Sequence, residues 1–172
     1  MYAFSVCMSV YKNDKSADVS VALDSIINQS IRPDEIVLVV DGPISDELMF
    51  VLDEYDRRYI GLFNIIRLPI NQGLGNALKI AIDAAKYELI ARMDSDDIAE
   101  PTRFKKQLMC FLNDSELSII GTYDEQQYYR ENQLIQKYNC LLRHEAAYKL
   151  SESYDWKKIA IQHINLMNSI LS

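Results

Sequence analysis

Four short apolar runs, at residues 4–10, 35–40, 62–68 and 88–93, are each followed by a stretch whose apolar residues recur at helical spacing. Runs this short, with little polar alternation, are the pattern of strands buried on both faces. After the first run, Val19, Ala22, Leu23, Ile26 and Ile27 form one helical stripe, and Arg32-Pro33-Asp34 breaks the chain. After the second, Asp41-Gly42-Pro43 turns and Ser45 stands as an N-cap, with Asp46 and Glu47 in the first helical turn. Leu48, Val51, Leu52 and Tyr55 continue that helix, and Leu78, Ala81 and Ala85 mark the next. Pro101 suits the first position of a fourth, whose apolar face carries Phe104, Leu108, Phe111 and Leu112. A short fifth strand is expected at 117–121. Strands alternating with helices constrain the fold to α/β, a Rossmann-like, mostly parallel sheet flanked by helices. Ligands of such sheets sit beyond the carboxyl ends of the strands. Function is therefore expected in four polar loops: Tyr11-Lys12-Asn13-Asp14, Asp41-Gly42, Asn71 to Asn76, and Asp94 to Asp97.

At 172 residues the chain has room for one domain with a real core. Residues 1–121 carry the α/β pattern; 122–172 read as an atypical extension packed on or beside it. That extension opens polar and tyrosine-rich and closes with a short helical segment from Tyr154, with Trp156, Ile159, Ala160, His163, Ile164, Met167 and Leu171 on one side. The net charge of −7, with Lys and Arg scattered, excludes nucleic acid as a partner, because a phosphate backbone needs a concentrated basic face. The three dispersed cysteines, Cys7, Cys110 and Cys140, read as reduced thiols, and Cys7 as core. Neither a signal peptide nor a membrane-spanning run is visible, so a cytoplasmic location is expected. A position peripheral to the inner face of the membrane and self-association are both compatible with it.

Asp94, Asp96 and Asp97 crowd three carboxylates into four residues. Their mutual repulsion costs stability unless a cation or hydrogen-bond donors offset it. Hard oxygen ligands suit Mg²⁺, Mn²⁺ or Ca²⁺. The alternative is a solvated turn that caps the following helix. Asp41 has the same two readings, a turn former before Gly-Pro or a ligand acceptor.

The loops, taken in order, carry a more specific signal. Ser5-Val6-Cys7-Met8-Ser9-Val10-Tyr11 ends the first strand, and residues 36–42 read IVLVVDG. Asn71-Gln72-Gly73-Leu74-Gly75-Asn76-Ala77-Leu78 follows the third strand. Ala91-Arg92-Met93-Asp94-Ser95-Asp96-Asp97 follows the fourth and leads to Pro101-Thr102-Arg103-Phe104. This succession resembles the GT-A core of the family 2 glycosyltransferases, over roughly the first 120 residues. The chain departs from it at Val40, where many members have a second acidic residue. Residues 154–160 weakly resemble the closing helix of the two-domain GT-B class.

The resemblance implies a nucleotide-sugar donor, of the UDP-sugar type, bound by Ser9, Val10, Tyr11, Asp41, Asn71, Gly73, Asn76, Asp94 and Asp96. It implies Mn²⁺ or Mg²⁺ held by the DXD segment, that is by Asp94, Asp96 and Asp97. It also implies inverting transfer to a saccharide or lipid-linked saccharide of a cell-surface polysaccharide. No residue is assignable as the base, and Asp124 and Glu125 read as solvated loop residues. Arg92 is expected to pair with the acidic loop. Two other readings stay open: a non-catalytic nucleotide-sugar-binding domain, and an α/β interaction protein whose acidic loop is only a capped turn.

Overall fold

The strand Glu35–Val40 has every side chain buried, which requires covered faces and a paired neighbour on each edge. The computed structural model, which describes residues 3–114, 119–122, 129–130, 133–134 and 139–143, supplies both. In chain order the elements are β1 (Phe4–Val10), α1 (Ser16–Ile27), β2 (Glu35–Val40), α2 (Asp46–Arg58), β3 (Phe63–Arg67), α3 (Leu74–Ala84), β4 (Leu89–Arg92) and α4 (Arg103–Asn113). Short strands follow: β5 (Ile119–Thr122), β6 (Tyr129–Arg130), β7 (Gln133–Leu134) and β8 (Asn139–Arg143). The main sheet runs β3-β2-β1-β4-β8-β5. Its first four strands are parallel, with Val6 opposite both Ile36 and Ala91.

Alternate residues of the central strand feed two apolar layers. Phe4, Val6, Met8 and Val10 pack with Val19, Leu23, Ile26, Leu48, Leu52, Phe104 and Leu108, so α1, α2 and α4 share one core. Phe4 and Phe104 meet edge to face at 4.9 Å, a favoured aromatic geometry. Cys7 joins the other layer with Val37, Val39, Ile90 and the α3 residues Ala77, Ala81 and Ile82. Burial pushes its thiol pKa far above the usual range, so Cys7 is core, as its apolar run predicts. Ser45 caps α2 by accepting from the Leu48 N–H at 3.2 Å, again as expected.

Three local expectations need correction. Pro101 does not open α4, which starts at Arg103. The Glu100 carboxylate accepts from both the N–H and the hydroxyl of Thr102 and holds residues 100–102 in a turn. Leu112 is 56% exposed instead of lying on the apolar face; Gln107 and Arg103 are buried in α4. Strand β8, in the extension where no strand was expected, enters the sheet antiparallel between β4 and β5. The helix expected from Tyr154 lies outside the described residues. Among the described residues no helix is long and apolar enough to cross a membrane.

At the end of the sheet remote from those loops, Glu35 is 2% exposed. It accepts from the Ser5 hydroxyl at 2.8 Å and the Lys86 N–H at 2.9 Å, and pairs with the Lys86 ammonium at 3.0 Å. Burial alone would raise its pKa, but the donors, led by the Lys86 N–H, outweigh it and hold the carboxyl below its usual 4.5. A depressed folded pKa means stability that is present above 4.5 and is lost as pH falls below it toward the folded value. Thermal melts of wild type and Glu35→Gln should therefore differ by about 1–2 kcal/mol at pH 7 and converge as the pH falls below 4.5. A difference that is the same at pH 7 and pH 3 would show that the ionised carboxylate is not what stabilises this corner.

Candidate functional site

The chain steps outward from β1 to β2 and β3, then returns to the other side of β1 as β4. Strand order thus reverses between β1 and β4, where open α/β sheets leave a crevice for ligands. A cleft of about 440 Å³ lies at this end. It is lined by Ser9, Tyr11 and Asp14 after β1, Asp41 after β2, Asn71, Gly73 and Leu74 after β3, and Arg92, Asp94, Ser95 and Asp96 at the end of β4. All four loops singled out in the sequence therefore reach one cavity.

On the β1 side, Asp14 folds the chain back. Its N–H donates to the Tyr11 carbonyl at 3.1 Å, and its Oδ2 accepts from the Tyr11 N–H at 3.0 Å. The Tyr11 side chain stays 39% exposed. Val10, in contrast, is buried in the core and does not line the cleft, because alternation turns it to the face opposite Ser9.

Asp41 is 2% exposed. Its two carboxylate oxygens accept from the backbone N–H groups of Gln72 at 2.6 Å and Gly73 at 2.9 Å, while its carbonyl accepts from Asn71 Nδ2 at 3.1 Å. A carboxylate at the start of α3 also favours the positive end of that helix. The side chain thus ties the β2 end to the Asn71–Gly73 loop as well as lining the cleft. Asn76 is not among the cleft-lining residues; its amide donates to the Gln72 carbonyl at 3.1 Å and steadies the first turn of α3.

At the acidic loop, Arg92 donates to Asp94, the pairing expected from sequence. The Asp97 N–H donates to the Asp94 carbonyl at 3.4 Å, so the segment is a turn. Asp96 is exposed and lines the cleft, whereas Asp97 is 8% exposed and does not. Beneath the turn, buried Arg103 donates to the Arg92 carbonyl at 2.9 Å and meets the Met93 sulfur at 3.1 Å. This fixes the end of β4 from below.

Two contributors lie in segments marked out in the sequence but were given no role of their own there. Asp14 faces the acidic loop, and its Oδ2 accepts from the Ser95 hydroxyl at 2.9 Å. Burial raises its pKa above the usual 3.8, with Asp96 and Asp94 adding to the rise, against the Tyr11 and Ser95 hydrogen bonds. Arg103 is the other, and its buried place under β4 has no signal in helical periodicity. An aspartate three residues past a strand end is a turn signal, which marks Asp14 locally but not its long-range partner.

Electrostatically, Asp14, Asp41, Asp94 and Asp96 face the cleft with Arg92 as the cationic side chain in the lining. An anionic ligand meets repulsion here unless a cation accompanies it. The oxygen-only donors suit a hard divalent ion. As arranged, no three acidic, His or Cys side chains among the described residues converge to hold one. Of the acidic loop's carboxylates, Asp94 and Asp96 reach the cleft, and Asp94 is paired with Arg92.

Comparisons with known proteins bear on the family and the fold. The model of the family described as "Glycosyl transferase family 2" matches residues 5–168. The amylovoran biosynthesis glycosyltransferase AmsE of Erwinia amylovora is 37% identical over 120 residues, 69% of this chain and 44% of that protein. The UDP-Gal:alpha-D-GlcNAc-diphosphoundecaprenol beta-1,3-galactosyltransferase of Escherichia coli is 34% identical over 123 residues, 72% of this chain and 44% of that protein. The chain thus spans less than half the length of these curated relatives. Among solved structures, the mannosyltransferase PcManGT of Pyrobaculum calidifontis, in complex with GDP-Man and Mn²⁺, matches with a TM-score of 0.59. That match is 18% identical and covers 69% of this chain and 34% of the other, a likeness of fold.

Proposed function

Because the chain belongs to glycosyl transferase family 2, we propose that its cleft is the donor site of a metal-dependent, inverting glycosyltransferase. It takes a UDP-sugar and serves the assembly of a cell-surface polysaccharide. The observation that carries this is the convergence of all four motif loops on one acidic cleft at the β1/β4 switch point. The choice of UDP is supported by the galactosyltransferase relative, whose name specifies UDP-Gal and a diphosphoundecaprenol-linked substrate. Divalent-metal use is supported by the Mn²⁺ in the mannosyltransferase complex. A lipid-linked saccharide acceptor would place the reaction at the inner face of the membrane.

Each lining group has a task in this reading. The half-exposed Tyr11 ring offers a flat surface for the nucleoside. Asp41 holds the Asn71–Gly73 backbone at the position where the nucleotide lies. Asp94 and Asp96 hold Mn²⁺ or Mg²⁺, with Asp97 completing the acidic turn. When bound, the ion supplies Lewis-acid stabilisation of the charge that develops on the departing nucleotide. Arg92 keeps Asp94 oriented and offsets part of the loop's repulsion. Among the described residues no carboxylate is assigned as the base that deprotonates the acceptor.

Calorimetric titration of UDP with and without Mn²⁺ is the test. The expected result is saturable binding in Mn²⁺ and at least tenfold weaker binding in its absence, since a bare diphosphate meets four carboxylates. Absence of binding in both conditions would sink the donor-site assignment.

A further inference from the structure

The β1–β4 pairing runs to the bond between the Met93 N–H and the Cys7 carbonyl, after which β4 gives way to the acidic loop while β1 runs on beside β2 to Val10 and the Tyr11 loop. A side-chain bridge rejoins them. Asp14 Oδ2 receives the Tyr11 N–H from its own loop at 3.0 Å and the Ser95 hydroxyl from the acidic loop at 2.9 Å, across 81 residues of sequence. A local turn at Asp14 needs only the first of these bonds. The second joins the residue that lies between Asp94 and Asp96 to the loop that presents Tyr11. We propose that Asp14, acting through Ser95, is a positioning residue that holds the acidic loop and the Tyr11 loop at one spacing.

The chemical consequence rests on the donor-site reading above. If the cation binds at Asp94 and Asp96 and the nucleoside at Tyr11, one ligand must span both loops. Displacements of an ångström between the two halves of such a site are costly, because the ligand satisfies one half at the expense of the other. The bridge removes that freedom before the ligand arrives, which is preorganisation.

Two measurements on the intact chain separate this from a purely structural role. In amide NMR without ligand, Ser95→Ala should shift the Tyr11 resonance and speed its hydrogen exchange, although position 95 is remote in sequence. Asp14→Asn, which keeps an acceptor oxygen, should leave the Tyr11 amide closer to wild type than Asp14→Ala does. In UDP titrations at saturating Mn²⁺, Ser95→Ala should weaken binding about fivefold, the cost of ordering the freed loops when the ligand binds. It should cause no further loss in an Asp14→Ala background, because both changes break the same bridge. A Tyr11 amide unmoved by Ser95→Ala, or additive losses in the double variant, would overturn the proposal. A wild type that binds no UDP while its Tyr11 amide responds to Ser95→Ala would overturn the donor-site assignment and leave the bridge standing.

Discussion

If the donor-site proposal holds, Asp96→Ala should weaken Mn²⁺-dependent UDP binding by about a hundredfold or more and leave the thermal midpoint unchanged or raised. The size follows from the role. Loss of a group that merely supports a metal ligand costs about 10–100-fold in metal affinity, and a direct ligand carries at least that much. The direction of the stability effect follows from position. Asp96 is exposed, in a turn that also holds Asp94 and faces Asp14, so removing one charge relieves repulsion. Exposed substitutions otherwise stay within about 0.5 kcal/mol. Asp97→Ala gives the contrast. That residue is 8% exposed and outside the cleft lining, so its loss should lower the melting point as well. Calorimetry and melting curves on both variants separate the two effects. An Asp96→Ala chain that binds UDP·Mn²⁺ within twofold of wild type would remove the acidic loop from the donor site.

The sheet's parallel half was legible because its determinants are local. The apolar run 35–40 and the stripe Val19, Ala22, Leu23, Ile26, Ile27 say what each segment buries, and every one of these residues is buried in the structure. The cleft was legible for a topological reason, since loops after parallel strands share one edge of the sheet whatever their sequence. Strand β8 was not legible. Its five residues, NCLLR, show no alternation to separate them from a buried helical turn, and its pairing with β4 and β5 is set by partners far away in the chain. Arg103 and Gln107 were hidden for a related reason: helical periodicity assigns polar residues to solvent, and their buried positions come from tertiary contacts. Asp41 shows the limit from another side. Its two sequence readings, turn former or ligand acceptor, are not exclusive, because the structure has it bind the loop backbone within the cleft wall.

Gly42→Ala should destabilise the chain by about 3 kcal/mol, and the cause lies in the same corner. Gly42 has φ +86°, a region where a Cβ costs about 1–2 kcal/mol. A Cβ there would also stand 2.6 Å from the Asn71 nitrogen and 3.0 Å from the Ile70 carbonyl carbon, both backbone atoms. Backbone cannot rotate out of the way, so the 70–73 loop must move off the end of β2. Overpacking of this kind adds about 1–3 kcal/mol. The shift also pulls the Gln72 and Gly73 N–H groups from the Asp41 carboxylate, which leaves a nearly buried charge short of donors. For a chain of this size the melting point should fall by roughly 6–12 °C. Gly61→Ala is the internal control: φ is +80° there too, but nothing lies within 4 Å of the added carbon. It should lower the melting point by less than half as much and leave UDP binding intact. Equal losses in the two variants would mean that backbone conformation alone, and not the contact with Asn71, requires glycine at position 42. The Asn71–Gly73 loop would then be free to find its place without the end of β2, and Asp41 would have to hold it unaided.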